Sequence, residues 1–186
     1  TGSHGKTIVK EWLYQLLSPV KNIIRSPKSY NSQIGVPISL WQINKLHELA
    51  IIEAGISEPG EMQQLEKIIQ PTIGIFTNIG NPHGENFATL EQKAIEKAQL
   101  FKQCEVVFYP ADNKIIAEAV QQLHPLKTCT WGKANTAHLQ IKTCVKNTTQ
   151  KTTTIQGIYK NKQQKISIPF VDDASIDNAI VCWAYM

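Results

Sequence analysis

Thr1 to Thr7 read TGSHGKT, and Val9, Trp12, Leu13, Leu16 and Leu17 follow at helical spacing. A glycine-flanked Lys-Thr that opens directly into an amphipathic helix constrains the fold more than any other stretch, because it is the sequence form of a phosphate-binding loop. Such a loop presents backbone N–H groups to an anion at the positive end of the helix. In its general form Gly2, Ser3, His4 and Gly5 make the cradle, Lys6 reaches the β- and γ-phosphates of a nucleotide, and the Thr7 hydroxyl holds Mg²⁺. The spacing is shorter than the general G-x-x-x-x-G-K-[ST] pattern, since only Ser3 and His4 separate Gly2 from Gly5. A Gly-rich turn before a helix is the plain alternative, and the amphipathic helix favours phosphate binding over it.

At 186 residues and 42% hydrophobic, the chain can bury one substantial core, so a single domain over residues 1–186 is expected. The net charge of +4 comes from scattered lysines with no basic run, which weighs against nucleic acid as a partner. Cys104, Cys129, Cys144 and Cys182 lie far apart with no CxxC pair. Neither a zinc site nor a disulfide framework is suggested, and a reducing cytoplasm fits. No apolar run approaches the length of a membrane span. The chain lacks an initiator Met and any residues for the strand that feeds a phosphate loop, so the expectation is a piece of a longer protein.

Short apolar runs alternate with helical patterns along the first two-thirds. Strands are expected at 20–24, 49–53, 72–78, 105–109 and 127–131, and helices at 6–17, 38–43, 57–69, 89–103 and 113–123. Ser57 precedes one helix and Pro71 closes it, while Thr89 and Gln92 form a capping box for the next. This alternation predicts an α/β fold, a mostly parallel sheet with helices on both faces. From His138 to Phe170 a Thr-rich alternation predicts a small antiparallel extension turning near Asn161, and Ile176, Ala179, Ile180, Trp183 and Ala184 mark a last helix.

Glu53 closes the apolar run Leu49 to Ile52, which places a carboxylate at the C-terminal edge of a buried strand, where open α/β sheets bind ligands. Beside a phosphate loop it suits a Mg²⁺ ion, which takes oxygen ligands; the alternative is a capping or surface Glu. His83 is the only imidazole of NIGNPHGENF, a polar loop leaving another strand at the same edge, and either ligates metal or is merely solvated. Lys97 is out of place: at ~100° per residue it falls within about 60° of Leu90, Ala94 and Phe101 on the apolar stripe of its helix. Snorkelling is one explanation. The other is a lysine whose charged form is disfavoured by burial, a neutral amine able to capture CO₂ as a carbamate. Asn31, in YNSQIGVP, is placed to face a substrate, whereas Asp112-Asn113 reads as turn chemistry and Asp172-Asp173 as a helix cap.

Taken in order, TGSHGKT, YNSQIGVP, IIEAG with GEM, NIGNPHGENF, EKAQLF, ADN and DNAI resemble the central ATP-binding domain of the Mur ligases across the whole chain. The short phosphate loop is that family's normal form. PHGENF resembles the AHxExF segment of the type that adds D-alanyl-D-alanine to UDP-N-acetylmuramoyl-tripeptide in peptidoglycan synthesis, and not the DHLDxH-like segment of the type that adds the third amino acid. The resemblance implies ATP and Mg²⁺ as cofactors, with Lys6 on the phosphates and Thr7 and Glu53 on one Mg²⁺. It further implies His83 on a second ion, a carbamylated Lys97 orienting that ion, Asn31 at the substrate and Asn178 near the adenine. It implies a bacterial cytoplasmic enzyme of three domains, with the UDP-sugar tripeptide and D-alanyl-D-alanine engaged through the flanking two and an alanine racemase fused on in some bacteria. On this reading the isolated fragment is inactive. Ala174 and Ser175 depart from the family by standing where its motif has His-Asn.

Two other readings compete. One is a different ligase of the same superfamily, another Mur step or a folate polyglutamate ligase, although the latter's glycine-rich segment after the metal Glu is not seen in AGISEPGEM. The other is a non-catalytic nucleotide-binding module, for which a lysine on an apolar helix face beside a His loop has no use.

Overall fold

The computed structural model describes residues 1–80, 86–125 and 127–186. The element order is α1 (Lys6–Leu17), β1 (Ile23–Arg25), α2 (Gly35–Trp41), β2 (Leu49–Ile51), α3 (Glu61–Ile69), β3 (Ile73–Ile75), α4 (Leu90–Ala98) with a 3₁₀ turn to Phe101, β4 (Val106–Pro110), α5 (Lys114–Gln121), β5 (Lys127–Gly132), β6 (Leu139–Asn147), β7 (Thr152–Tyr159), β8 (Lys162–Ile168) and α6 (Asp173–Tyr185). Strands β3 to β8 form one sheet in sequence order, parallel from β3 to β6 and antiparallel from β6 to β8. The expected α/β sheet with an antiparallel extension is therefore present.

Alternation along β4 divides the core. Val107 and Tyr109 join Phe76, Phe101, Met62, Leu65, Ile116 and Val120 under α3, α4 and α5, whereas Phe108 packs towards Val9, Leu13, Ile176 and Ile180 of α1 and α6. β5 touches β6 only at Trp131↔Leu139 and Gly132↔Gln140, after which β6 runs on as one arm of the antiparallel unit. The β7–β8 turn is the two residues Lys160 and Asn161, both at positive φ (49° and 61°), the geometry of a tight hairpin matched to strand twist.

β1 and β2 pair with each other, in parallel, and not with the larger sheet. The facing edges of β2 and β3 line a cavity of about 320 Å³, and Thr1 sits at its mouth, donating from its nitrogen to Ile75 (2.8 Å) while its carbonyl accepts from Thr77 N–H (3.0 Å). Among the described residues no helix is long and apolar enough to cross a membrane.

Several boundaries differ from the sequence expectation, and β2 and β3 also stop short of it, at Ile51 and Ile75. β1 starts at Ile23 because Val20 and Lys21 are used in closing α1, their N–H groups donating to Leu17, and Val20 is left exposed. α2 starts at Gly35 and takes Pro37 into its first turn, where no intrahelical N–H is needed. α3 starts at Glu61, not near Ser57, because its cap comes from elsewhere: Glu96 of α4 accepts from the N–H groups of Gly60 (2.8 Å) and Met62 (3.1 Å). Glu96→Ala is expected to destabilise the fold by about 1–2 kcal/mol by urea unfolding, with Glu96→Gln closer to the parent, because two helix N–H groups lose a charged acceptor.

Candidate phosphate and metal site

The C-terminal ends of β1, β2, β3, β4 and β5 deliver their loops to the N-terminus of α1. Gly5 precedes α1 at φ 77° and Gly2 holds φ 148°, so both occupy backbone regions that favour glycine. Contact imposes the same demand. A Cβ at Gly2 would lie 2.0 Å from Thr77 Oγ1, and one at Gly5 would lie 2.1 Å from Asn178 Oδ1. Asn178, expected near a base, thus packs on the loop itself while also lining a cavity of about 400 Å³ with Asn78, Asp112, Lys133 and Asp177.

Ser3 and His4 are spent on holding the loop. Ser3 N–H donates to the Asn78 carbonyl (3.0 Å) and His4 N–H to Asn78 Oδ1 (2.8 Å). The His4 carbonyl accepts from Thr77 Oγ1 (2.8 Å) and Asn78 Nδ2 (3.0 Å), and Ser3 Oγ from Gly80 N–H (2.9 Å). The first N–H groups of α1 have no partner within the helix, so an anion is met at Gly5, Lys6 and Thr7. Lys6 curls over the loop, its Nζ donating to Gly2 (3.0 Å) and Ser3 (3.5 Å) carbonyls.

Thr7 and Glu53 meet as expected. Thr7 Oγ1 donates to Glu53 Oε2 at 2.9 Å, and Glu53 is 4% exposed. Its backbone N–H is held by Ser26 Oγ at 2.8 Å, which fixes the carboxylate at the end of β2. Two hard oxygens at that separation fit Mg²⁺, because adjacent ligands of an octahedron with bonds of about 2.0–2.1 Å stand roughly 2.9 Å apart. Asn31, expected to face a substrate, instead donates from Nδ2 to Glu53 Oε1 at 2.7 Å. Lys10 was not foreseen: it is 2% exposed, and its Nζ lies 3.6 Å from Glu53 Oε2. Sequence carries a signal for it, since ~100° per residue puts Lys10 within about 60° of Leu13 and Leu17 on the buried face of α1.

Lys97 is 1% exposed, so its ammonium does not snorkel to water. Lys93, one turn earlier, is also buried at 2%, and both lysines take part in polar or electrostatic interactions. Lys6, Lys97 and Glu53 all lie within electrostatic reach of the buried Thr1 nitrogen. His83 and the centre of its loop lie outside the described residues. Among the described residues no cluster of three or more His, Cys, Asp or Glu side chains could hold a metal alone. A metal here would have to draw on Thr7, Glu53 and groups beyond them. Asp112 exceeds its expected role as a turn residue: it accepts from Lys133 (2.6 Å) and Ala134 (2.8 Å) N–H groups, joining the ends of β4 and β5. Asp172 does cap α6, accepting from Ser175 N–H at 2.8 Å. Burial pushes the thiols of Cys104 and Cys182 up to about 12, which removes them as nucleophiles.

Fold and site together define an α/β domain built around a glycine-held loop at the head of α1, with the Thr7–Glu53 oxygen pair beside it. The Mur ligase middle domain matches residues 1–186, and the chain belongs to that family. The UDP-N-acetylmuramoyl-tripeptide–D-alanyl-D-alanine ligase of Synechocystis sp. is 34% identical over 136 residues, 71% of this chain and 30% of that protein. The Bacillus subtilis protein of the same name is 25% identical over 187 residues, covering 99% of this chain and 39% of that protein. The MurF ligase from Thermotoga maritima, solved in complex with ADP, superposes with a TM-score of 0.84 at 23% identity over 100% of this chain and 43% of that one. MurF from Acinetobacter baumannii gives 0.87 at 22%, over 99% and 40%. The chain thus spans well under half the length of these relatives.

Proposed function

We propose that this chain is the ATP-binding core of a three-domain ligase that joins D-alanyl-D-alanine to UDP-N-acetylmuramoyl-tripeptide in the bacterial cytoplasm. The observation that carries the reading is the Thr7–Glu53 pair, set beside the Lys6 loop and near a fully buried lysine. The names of the relatives support the substrates. They carry the ligase activity alone and lend no support to a fused racemase.

In this mechanism the tripeptide carboxylate attacks the γ-phosphorus of ATP, the bond to the bridging oxygen breaks, and ADP leaves. The dipeptide amine adds to the acyl phosphate carbonyl, loses a proton, and the tetrahedral intermediate collapses to amide and inorganic phosphate. Lys6 and the amides of Gly5, Lys6 and Thr7 stabilise charge on the transferring phosphoryl group. Thr7 and Glu53 would hold Mg²⁺, which would neutralise phosphate charge when bound. Asn31 orients Glu53 from its other oxygen, and Asn178 sets the loop against which the nucleotide lies. His83 serves a second ion. Lys97, once it has lost a proton, would add to CO₂ with loss of a second, giving a carbamate whose oxygens would help hold that ion. Substrate orientation falls to the flanking domains, so the isolated chain makes no amide.

The test is to incubate the full-length polypeptide with ATP, Mg²⁺, the UDP-sugar tripeptide and D-alanyl-D-alanine and to look for pentapeptide product. Nucleotide binding without any product would favour a non-catalytic module. Lys97→Ala is expected to lower turnover about 10–100-fold, with partial rescue by short carboxylates. A fully active Lys97→Arg would rule out the carbamate, and intact mass should show the gain of one CO₂ on the parent.

A further inference from the structure

We infer that Lys10 is a built-in counter-cation that prevents the Thr7–Glu53 position from taking a divalent ion until a nucleotide's phosphates arrive. This rests on the reading of that position as a metal site. Lys10 lies one helical turn beyond Lys6, is 2% exposed, and forms part of the wall of the 320 Å³ cavity. It donates to the Ser26 carbonyl at 2.8 Å and to the Lys28 carbonyl, and stands 3.4 Å from Glu11 Oε1 and 3.6 Å from Glu53 Oε2. Lys28 holds φ 48°, a region that non-glycine residues seldom occupy, so the turn keeps an unfavourable shape while its carbonyl meets this ammonium. Ser26 works on both partners: its carbonyl receives Lys10, and its hydroxyl receives the Glu53 N–H at 2.8 Å.

The charges decide the consequence. Glu11 also pairs with Arg25, its Oε2 lying 2.8 Å from Nε, so Lys10, Arg25, Glu11 and Glu53 form a quartet with no net charge. Lys6 adds positive charge at the adjoining loop, where its Nζ meets the Gly2 and Ser3 carbonyls. A dication set against Glu53 would meet a carboxylate already matched by a neighbouring cation, on the wall of the 320 Å³ cavity, where burial keeps both side chains largely from bulk water. Two carbonyls and a second carboxylate hold Lys10 beside Glu53. Phosphate oxygens at the adjoining loop supply the missing negative charge, so metal and nucleotide bind together. This arrangement would keep Glu53 ordered when no metal is present and would stop free divalent ions from occupying the site.

Mn²⁺ is the probe, titrated into the full-length polypeptide with and without ADP and read from the electron paramagnetic resonance of the free ion. The parent should take up Mn²⁺ at this position only with ADP, and Glu53→Gln should weaken that uptake. Lys10→Met preserves much of the side-chain volume and removes the charge. It should bind Mn²⁺ without nucleotide about tenfold more tightly than the parent, or better, as follows from deleting a unit charge a few ångströms from the ion. Lys10→Arg should behave as the parent does. A folded Lys10→Met whose nucleotide-free affinity equals or falls below the parent's overturns the inference. So does nucleotide-free uptake by the parent that Glu53→Gln abolishes, a measurement that needs no Lys10 variant. Uptake with ADP that is indifferent to Glu53→Gln defeats the metal-site reading itself, and the inference with it.

Discussion

Glu53→Ala in the full-length polypeptide should cost about 3–5 kcal/mol of stability and abolish product formation. The magnitude follows from what the carboxylate touches. Its side chain and that of Lys10 are each 2% exposed, so removing one leaves the other as a charge in a poorly solvated place. Thr7 Oγ1 and Asn31 Nδ2 lose their acceptor as well. Glu53→Gln keeps the shape and an acceptor oxygen, so it should lose less stability yet still lose the metal. Pairing it with Lys10→Met removes both charges and should recover most of the stability without recovering product, because a buried ion pair is replaceable by neutral groups of similar volume. Urea unfolding of the four proteins separates the cases. A cost under about 1 kcal/mol for Glu53→Ala would mean that the Lys10 ammonium reaches water in a way its burial does not suggest.

Lys6→Ala should lower turnover by about 10²–10³ with little change in stability. Lys6 is half-buried, and its two loop contacts are hydrogen bonds from a flexible stem to the Gly2 and Ser3 carbonyls. Their loss opens no cavity. Its contribution is to charge that develops on the phosphoryl group in the transition state, where removal of one preorganised donor costs about 2.7–4 kcal/mol. Turnover and thermal unfolding should be measured on the same sample. Near-normal release of phosphate from ATP in the variant would remove Lys6 from the chemistry, and loss of the fold would recast it as a structural residue.

The local chemistry of the chain was legible along one dimension. A Lys-Thr flanked by glycine, a carboxylate at the end of an apolar run and a lysine on an apolar helical stripe are each patterns of spacing, and spacing survives without coordinates. So are the caps at Thr89 and Asp172, where side chain and backbone partner lie three residues apart. The same periodicity test that singles out Lys97 also singles out Lys10, at about 60° from Leu13 and about 20° from Leu17, but not Lys93, which stands about 100° from Ala94 and about 80° from Phe101. The burial of Lys93 is legible only from the packing of its helix.

Tertiary structure decided the partners. The start of α3 depends on Glu96, 36 residues beyond Gly60, so nothing near Ser57 foretells it. Asn31 looks free to face a substrate until β1 and β2 pair and bring Glu53 within 2.7 Å of its amide. Ser3 and His4 read as part of a cradle until Asn78, more than 70 residues away, takes their N–H groups. The sequence by itself determined the α/β class, the phosphate loop and the residue types at the sheet edge, because backbone periodicity and helix-end chemistry act over a few residues. Which of those residues neutralise, orient or restrain one another depended on contacts between distant segments, because hydrogen bonds and ion pairs are set by distance in space, and only packing the two cores against the sheet fixes that distance.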